Sequence, residues 1–220
     1  MKSSSLILAL SLLILPACQK SELADKPAAE VTESSATTAT VDTTTAASTN
    51  AITANVLKEK SSINFVGAKV TRDHKGKFNS FDGTITYAGG QPQGVKFDID
   101  LNSIETDTPD LTKHLLSADF FDVAKYPKAT FTSTSLTALP AGSPNGATHE
   151  LKGTLDLHGV QKEVTIPVTA TTTPEGVRTQ SEFTINRHDW GINYKGMADD
   201  LIKDNVLIKL DLLFPPPPAA

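Results

Sequence analysis

The sequence predicts an all-β protein whose antiparallel strands form a closed or nearly closed barrel. Three observations lead to this fold class. Apolar and polar residues alternate in many short runs, turn-forming residues separate the runs, and only one stretch shows apolar residues at helical spacing. About eight strands of roughly 8 to 12 residues each are expected, with one short helix. Residues 51–220 have the length of a single domain.

The clearest strand is KFDIDL, residues 96–101, where charged and apolar residues alternate without a fault. Such a strand has one face in water and one face buried. Acidic residues such as Asp98 and Asp100 then belong to the solvated face. The same alternation recurs in further runs, at residues 61–71, 75–88, 151–157, 164–168, 183–185 and 206–214. The first two of these form a predicted pair joined by Arg72-Asp73-His74.

Turn-forming residues separate these runs and place the other elements. The turns are predicted at GGQP (89–92), AGSPNG (141–146), HG (158–159) and PEG (174–176). Residues 109–117 carry apolar residues at helical spacing after Thr108-Pro109, which predicts the single short helix. The four prolines at 215–218 end the last strand, because proline cannot donate to a β-ladder.

The N-terminus predicts an exported protein anchored by lipid. Lys2 and the apolar residues 6–15 form a stretch too short for a membrane span of about 20 residues, so residues 1–17 are interpreted as a signal peptide. LPAC (15–18) is similar to a bacterial lipobox, in which the cysteine is acylated with fatty acids such as palmitate and becomes the first residue of the mature chain. Cys18 is the only cysteine, and Gln19 follows it. The lipobox resemblance implies that a chain without Asp at this position is sorted to the outer membrane, where a periplasm-facing lipoprotein is expected.

Residues 18–50 comprise the lipidated cysteine and a Thr/Ser/Ala-rich segment without aromatic residues. Such a composition cannot bury enough apolar area to offset its chain entropy, so a disordered tether is expected. The random-coil relation gives it a span of about 30 Å. A glycosylated stalk is the alternative interpretation.

Composition and motifs exclude several functions. The net charge of −5 has the wrong sign for a nucleic-acid binder, and no glycine-rich phosphate motif occurs. The five histidines lack metal-site spacing, so neither a metal nor a cofactor is expected. Arg187-His188-Asp189-Trp190 places a base beside a carboxylate, but adjacent residues seldom face each other and no G-x-S-x-G supplies a nucleophile. A turn in which Trp190 and Ile192 pack on the barrel is the favoured interpretation.

Four segments between residues 114 and 212 resemble the YceI family. These are HLLSADFFDVAKYPKATFTS (114–133), GTLDLHGVQKEVTIPV (153–168), FTINRHDWGI (183–192) and DNVLIKLDL (204–212). The resemblance implies an extended lipocalin-like barrel whose lumen holds a polyisoprenoid, an isoprenoid quinone or a fatty acid derivative. One position departs from the family: FVGAK (65–69) stands where many members carry a histidine shortly after F-x-V.

Candidate ligand-binding residues are the apolar residues on the buried faces of the strands and residues of the family motif. Two adjacent phenylalanines in DFFDV (119–123) can cap the barrel mouth, and His114 can cap the helix or meet a ligand head group. A solid core plugged by these rings is the alternative. The predicted lining is Phe65, Phe81, Ile85, Phe97, Ile99, Leu101, His114, Leu115, Phe120, Phe121, Phe131, Leu155, Leu157 and Trp190.

The predicted function is therefore a lipid-anchored periplasmic protein that binds, stores or carries a long hydrophobic molecule. A stress-related structural or interaction barrel without cargo is one alternative, and an enzyme acting on a lipid is another. Partners are the hydrophobic ligand and the membrane, while the choice between a monomer and a homodimer stays open.

Overall fold

The computed structural model describes residues 21–33, 51–198 and 200–217. The predicted signal peptide, Cys18 and residues 34–50 lie outside the described residues. The elements are β1 (Glu30–Glu33), β2 (Ile52–Asn55), β3 (Ser62–Ala68), β4 (Asp73–Phe78), β5 (Phe81–Ala88), β6 (Gln91–Asp100), β7 (Ile104–Thr106), α1 (Pro109–Leu116), β8 (Lys128–Ala138), β9 (His149–Leu157), β10 (Val160–Thr173), β11 (Gly176–Asn186), β12 (Gly196–Met197), β13 (Asp200–Leu201) and β14 (Asn205–Phe214).

The predicted fold class is confirmed. The main sheet is antiparallel and runs in the order β2-β5-β6-β8-β9-β10-β11-β14-β3-β4-β7, with β12 and β13 forming a separate hairpin. Eight of the strands have seven or more residues. The curled sheet forms a barrel with β2 and β7 as its end strands. Helix α1 is the one α-helix in the described part of the chain, at the predicted position.

Strand β6 shows why alternating residues produce this barrel. Phe97 pairs with Gly83 on β5 and with Phe131 on β8, so these three residues lie on the same inner face of the sheet. Phe97 is buried whereas Lys96 is exposed. The inner faces of the sheet form two core clusters. One surrounds Leu101 and Trp190, and the other surrounds Val56, Tyr87 and Phe214.

The second predicted strand, residues 75–88, is two strands in the structure. The break falls at Asn79 and Ser80, whose backbone N–H groups donate to Ser103 at 3.1 and 2.9 Å instead of to a ladder. The turn between β3 and β4 also comes earlier than predicted, because Asp73 and His74 already belong to β4. Both bonds join residues that lie far apart in the chain, so alternation alone does not reveal the break.

Residues 21–33, here called the N-terminal strap, lie against the barrel. Strand β10 pairs with β11 only over its second half, from Thr169 to Thr173, and its first half pairs with β1 instead. The backbone of Thr184 on β11 bonds the strap on both sides, accepting from Ala29 N at 2.8 Å and donating to Pro27 O at 2.8 Å. The strap therefore fills the gap where β10 and β11 separate.

The strap differs from the disordered tether that composition predicts for residues 18–50. Ala29 is buried in the core and Val31 packs against it. Ion pairs of Glu22 with Lys75 and Lys209 also hold it. Composition misses this segment because a strand added to an open seam gains backbone hydrogen bonds without needing large apolar side chains. Over the residues that the structure describes, no helix has the length and apolarity that crossing a bilayer would need.

Candidate functional site

An apolar cavity of about 250 Å³ lies inside the curled sheet. Aliphatic and aromatic side chains from β3, β6, β8, β9, β10, β11 and β14 line it, together with side chains from α1 and the turn behind it. The volume lies just below the range of about 300 to 1,000 Å³ that small-molecule sites occupy. Because the lining is almost entirely apolar, the cavity suits the hydrocarbon part of a ligand.

Ten of the fourteen predicted ligand-binding residues line this cavity. They are Phe65, Phe97, Ile99, Leu101, Leu115, Phe120, Phe121, Phe131, Leu155 and Leu157. Ligand contact by these side chains stays a prediction. Their common position follows from the alternation of the strands and from the turn after α1.

Two further predicted residues, Phe81 and Ile85, lie outside the cavity lining. Both are buried in the second core cluster, which also contains Val56 and Tyr87. They occupy the inner face of β5, as predicted, but Val56 and its neighbours fill the space above them. Alternation identifies the inner face of a strand, and it does not show whether the space over that face is filled.

His114 and Trp190 also lie outside the lining. The His114 Nε2 atom is 2.9 Å from Oδ2 of Asp119, and its ring stacks edge-on against Phe120 and Tyr194. Trp190 is fully buried and donates from Nε1 to the carbonyl of Leu155 at 3.4 Å. His114 thus supports the phenylalanine turn from outside, and Trp190 supports β9.

The turn after α1 brings both Phe120 and Phe121 to the cavity. Phe121 N donates to Leu115 O at 3.1 Å, which folds the chain back over the helix end. The Phe121 ring lies edge-on to Phe78 with a centroid distance of 6.4 Å. Because the residues lie in a turn, two adjacent rings reach the same cavity, as the sequence predicts.

Two other phenylalanines in the lining lie close against glycines. A Cβ atom at Gly76 would approach Phe65 Cζ to 2.2 Å, and one at Gly153 would approach Phe131 Cζ to 2.5 Å. The rings occupy the space that side chains at these positions would need. The rings are therefore held close to the sheet, which leaves the centre of the barrel open.

One end of the cavity carries polar side chains that the sequence analysis did not select. Lys69, His74 and Arg187 line this end, although most of the lining is apolar. Lys69 Nζ is 3.1 Å from Oδ2 of Asp200. Of these three residues, only Lys69 could have been selected from the sequence, because it belongs to the segment FVGAK (65–69) that departs from the family pattern.

His74 is buried and bonded on both ring nitrogens. Its Nε2 accepts from Arg72 Nε at 3.1 Å, so its Nδ1 carries the proton and donates to Asp107 Oδ1 at 3.0 Å. The His74 ring therefore makes the cavity end more polar, although both of its nitrogens already have hydrogen-bond partners.

Arg187 is buried and its guanidinium donates to backbone carbonyls. The partners are Ile192 O at 2.6 Å, Lys203 O at 3.2 Å and Ile202 O at 3.4 Å. Burial lowers the pKa of Arg187, while the charge of Asp204 opposes that shift. The side chain therefore braces the chain between β13 and β14 while bordering the cavity.

The segment Arg187–Trp190 forms a 3-10 turn, as expected for its packing role. His188 lies 2.7 Å from Asn193 Oδ1 through Nδ1 and 2.8 Å from Asp204 Oδ1 through Nε2, so Asp189 is not its partner. Within residues 21–33, 51–198 and 200–217, no three His, Cys, Asp or Glu side chains are grouped to hold a metal ion.

Comparison with known proteins gives one family. The family model described as the YceI-like domain matches residues 55–214. A UPF0312 protein of Pseudomonas aeruginosa is 43% identical over 93 residues, which make up 41% of this chain and 46% of that protein. Protein YceI of Escherichia coli is 42% identical over 93 residues, with the same coverage of 41% and 46%. The chain thus spans about half the length of the curated relatives it matches.

Two solved structures share the fold. The crystal structure of BcnA from Burkholderia cenocepacia aligns with a TM-score of 0.63 at 24% identity, covering 71% of this chain and 98% of BcnA. A polyisoprenoid binding domain from Saccharophagus degradans, implicated in plant cell wall breakdown, aligns with a TM-score of 0.58 at 21% identity. That alignment covers 74% of this chain and 98% of the domain.

Proposed function

The chain belongs to the YceI-like family, and on this premise we propose that it binds a long hydrophobic molecule inside its barrel. The observation that carries the proposal is the apolar cavity, which ten of the predicted residues line. The polyisoprenoid binding domain with the same fold supports a polyisoprenoid as the ligand. An isoprenoid quinone and a fatty acid derivative are the other candidates that the family resemblance implies.

Burial of the chain supplies the binding free energy in this proposal. Each CH₂ group that leaves water for an apolar environment contributes about 0.8 kcal/mol. A linear chain can lie against the apolar lining, and its polar end can lie beside Lys69 and Arg187. The protein then stores or carries its ligand without chemical change.

The structure offers support for binding over catalysis at the histidine-acid segment. Both ring nitrogens of His188 are engaged by Asn193 and Asp204. A base held in this way has no free nitrogen to accept a proton from a nucleophile. We therefore propose a binding protein. The following experiment distinguishes it from a barrel without cargo.

Native mass spectrometry of the purified protein tests the proposal, together with solvent extraction and lipid analysis. We expect one lipid molecule per barrel and its loss on extraction with organic solvent. A protein with the mass of the bare chain, purified from cells that contain isoprenoid lipids, would instead support an interaction barrel without cargo.

We further propose that the chain is anchored to the outer membrane through acylated Cys18 and faces the periplasm. The lipobox-like LPAC (15–18) and Gln19 support this proposal. Cys18→Ser is expected to abolish labelling by radioactive palmitate and to release the protein from the membrane fraction. A Cys18→Ser variant that is still labelled would contradict lipid attachment at this cysteine.

A further inference from the structure

Exposed hydrophobic side chains are concentrated at one place on the surface. Of the four large ones in the described residues, Val70, Met197 and Leu201 lie in two neighbouring turns, with 69%, 67% and 47% of their surface exposed. Val70 follows β3, and the other two belong to the hairpin of β12 and β13. We call these three residues the apolar tip.

Hydrogen bonds hold the two turns of the apolar tip together. Val70 N donates to Leu201 O at 3.1 Å, and Lys203 N donates to Ala68 O at 2.8 Å. Arg187 holds the same hairpin through the carbonyls of Ile202 and Lys203. These bonds fix Val70 and Leu201 relative to each other.

The N-terminal strap begins beside this tip. Ser21 Oγ donates to Asp73 Oδ1 at 2.8 Å, and Glu22 N donates to Asp73 Oδ2 at 2.9 Å. A groove lined by Ser21, Leu23, Val70 and Leu201 separates the strap from the tip. Cys18 precedes Ser21 by three residues, which span at most about 10 Å. An acyl group on Cys18 would therefore reach the membrane next to the tip.

The tip also lies at the polar end of the cavity. Gly67, Ala68 and Lys69 line the cavity directly before Val70, and Ile202 lines it directly after Leu201. The turns that carry the tip therefore also border the cavity.

We propose that the apolar tip is a membrane-docking surface whose three side chains enter the interfacial region of a phospholipid bilayer. Binding to a bilayer scales with the apolar area that enters the interface, and the start of the strap beside the tip places the proposed lipid anchor at the same face. The exposed Lys195 and Lys203 flank the tip, and their amines can reach the phosphate layer while the apolar side chains are buried. This surface requires neither the cargo nor the acyl group.

Vesicle co-sedimentation tests the apolar tip in a protein that carries no acyl group, whether or not its barrel holds a lipid. The protein is residues 18–220 with Cys18→Ser, and the vesicles contain phosphatidylethanolamine and phosphatidylglycerol. We expect measurable binding, and a loss of about tenfold or more in the partition coefficient when Val70, Met197 and Leu201 are all replaced by Ser. Ile52→Ser removes the fourth exposed residue, on β2, and is expected to change binding by less than about twofold.

A fluorescent reporter makes the orientation testable. In a Trp190→Phe background, Met197→Trp is expected to be quenched by lipids brominated in their acyl chains, whereas Ile52→Trp is not. Absence of vesicle binding by the parent, or equal binding by the triple variant, would overturn the proposal. Self-association through the tip without vesicle binding, measured by sedimentation velocity, would also overturn it in favour of a contact between copies. Co-purified lipid is measured separately, so an empty barrel that still binds vesicles refutes only the cargo proposal.

Discussion

The ring of Phe97 lies over Gly83, its register partner on β5, at a distance that leaves no room for a side chain between them. A Cβ atom at Gly83 would come within 2.2 Å of Phe97 Cε1 and 2.6 Å of Cδ1. The ring also packs edge-on against Phe214, with 6.1 Å between centroids. Because Gly83 has no side chain, the Phe97 ring can lie against the sheet, which preserves the width of the cavity.

Gly83→Ala tests whether this contact keeps the cavity open. The added methyl group must push the Phe97 ring toward the lumen, so we expect a loss of about 1 to 3 kcal/mol in the free energy of unfolding. Co-purified lipid should fall as well, since the ring would enter its space. Urea denaturation and native mass spectrometry measure the two effects.

Gly67→Ala is the matched control, because a Cβ atom there would meet no atom within 4 Å. It should change stability by less than about 0.5 kcal/mol. A Gly83→Ala protein as stable and as lipid-loaded as the parent would show that the ring can move without cost.

Alternation in the sequence located much of this cavity. Phe97 and Ile99 were selected because the charges of β6 avoid their face, and both line the cavity. The same parity could have added Phe183 and Ile208 as lining residues, since their strands were recognised. The alternation could not show that Phe81 lies outside the cavity lining, because the residues that fill the space around Phe81 come from distant parts of the chain.

The strap and the polar cavity end show what the sequence could not reveal. The strap is held by backbone bonds of Thr184 with Ala29 and Pro27, and such bonds leave no trace in composition. Arg187 reaches the cavity end through its bonds to carbonyls between β13 and β14, which depend on tertiary structure. Pairing across long sequence distances decides both features.

Ala29→Asp tests the strap as part of the core. Ala29 is 9% exposed, so a carboxylate placed there loses water without gaining a partner. We expect the free energy of unfolding to fall by about 2 to 4 kcal/mol. Ala28→Asp makes the same change at an exposed neighbour and should cost less than about 0.5 kcal/mol. Equal effects of the two variants would show that the strap is not packed in solution.

The carboxylate of Glu22 predicts an acid-sensitive strap. Hydrogen bonds from Lys209 and Lys75 lower the pKa of Glu22 from 4.5 to about 2. A lowered folded-state pKa stabilises the protein above pH 4.5, and this contribution is lost as the pH falls from 4.5 toward 2.

Glu22→Gln should therefore cost up to about 1 kcal/mol at neutral pH, since the group is partly exposed, and almost nothing near pH 2. Denaturation of parent and variant across this range measures the difference. A difference that does not change with pH would contradict the ion-pair origin of the effect.

Arg187→Lys tests the brace behind the apolar tip. Lysine keeps the charge, but it lacks the planar fork that reaches the carbonyls of Ile192, Ile202 and Lys203. We expect a loss of about 2 to 3 kcal/mol in the free energy of unfolding. Arg178→Lys, in a more exposed pair with Asp211, should cost less than about 1 kcal/mol. Similar losses in both variants would show that the carbonyl bonds add nothing.

Ile99→Trp separates a ligand cavity from a solid core. Ile99 lines the cavity, so the larger ring can occupy space that the proposed lipid would take. We expect the variant to fold, with a cost below the roughly 1 to 3 kcal/mol of overpacking a filled core, and to lose its co-purified lipid. Lys96→Trp places the same ring on an exposed position of the same strand and should keep the lipid. An Ile99→Trp protein that fails to fold, from a parent that carries no lipid, would mean that the barrel has no room for cargo.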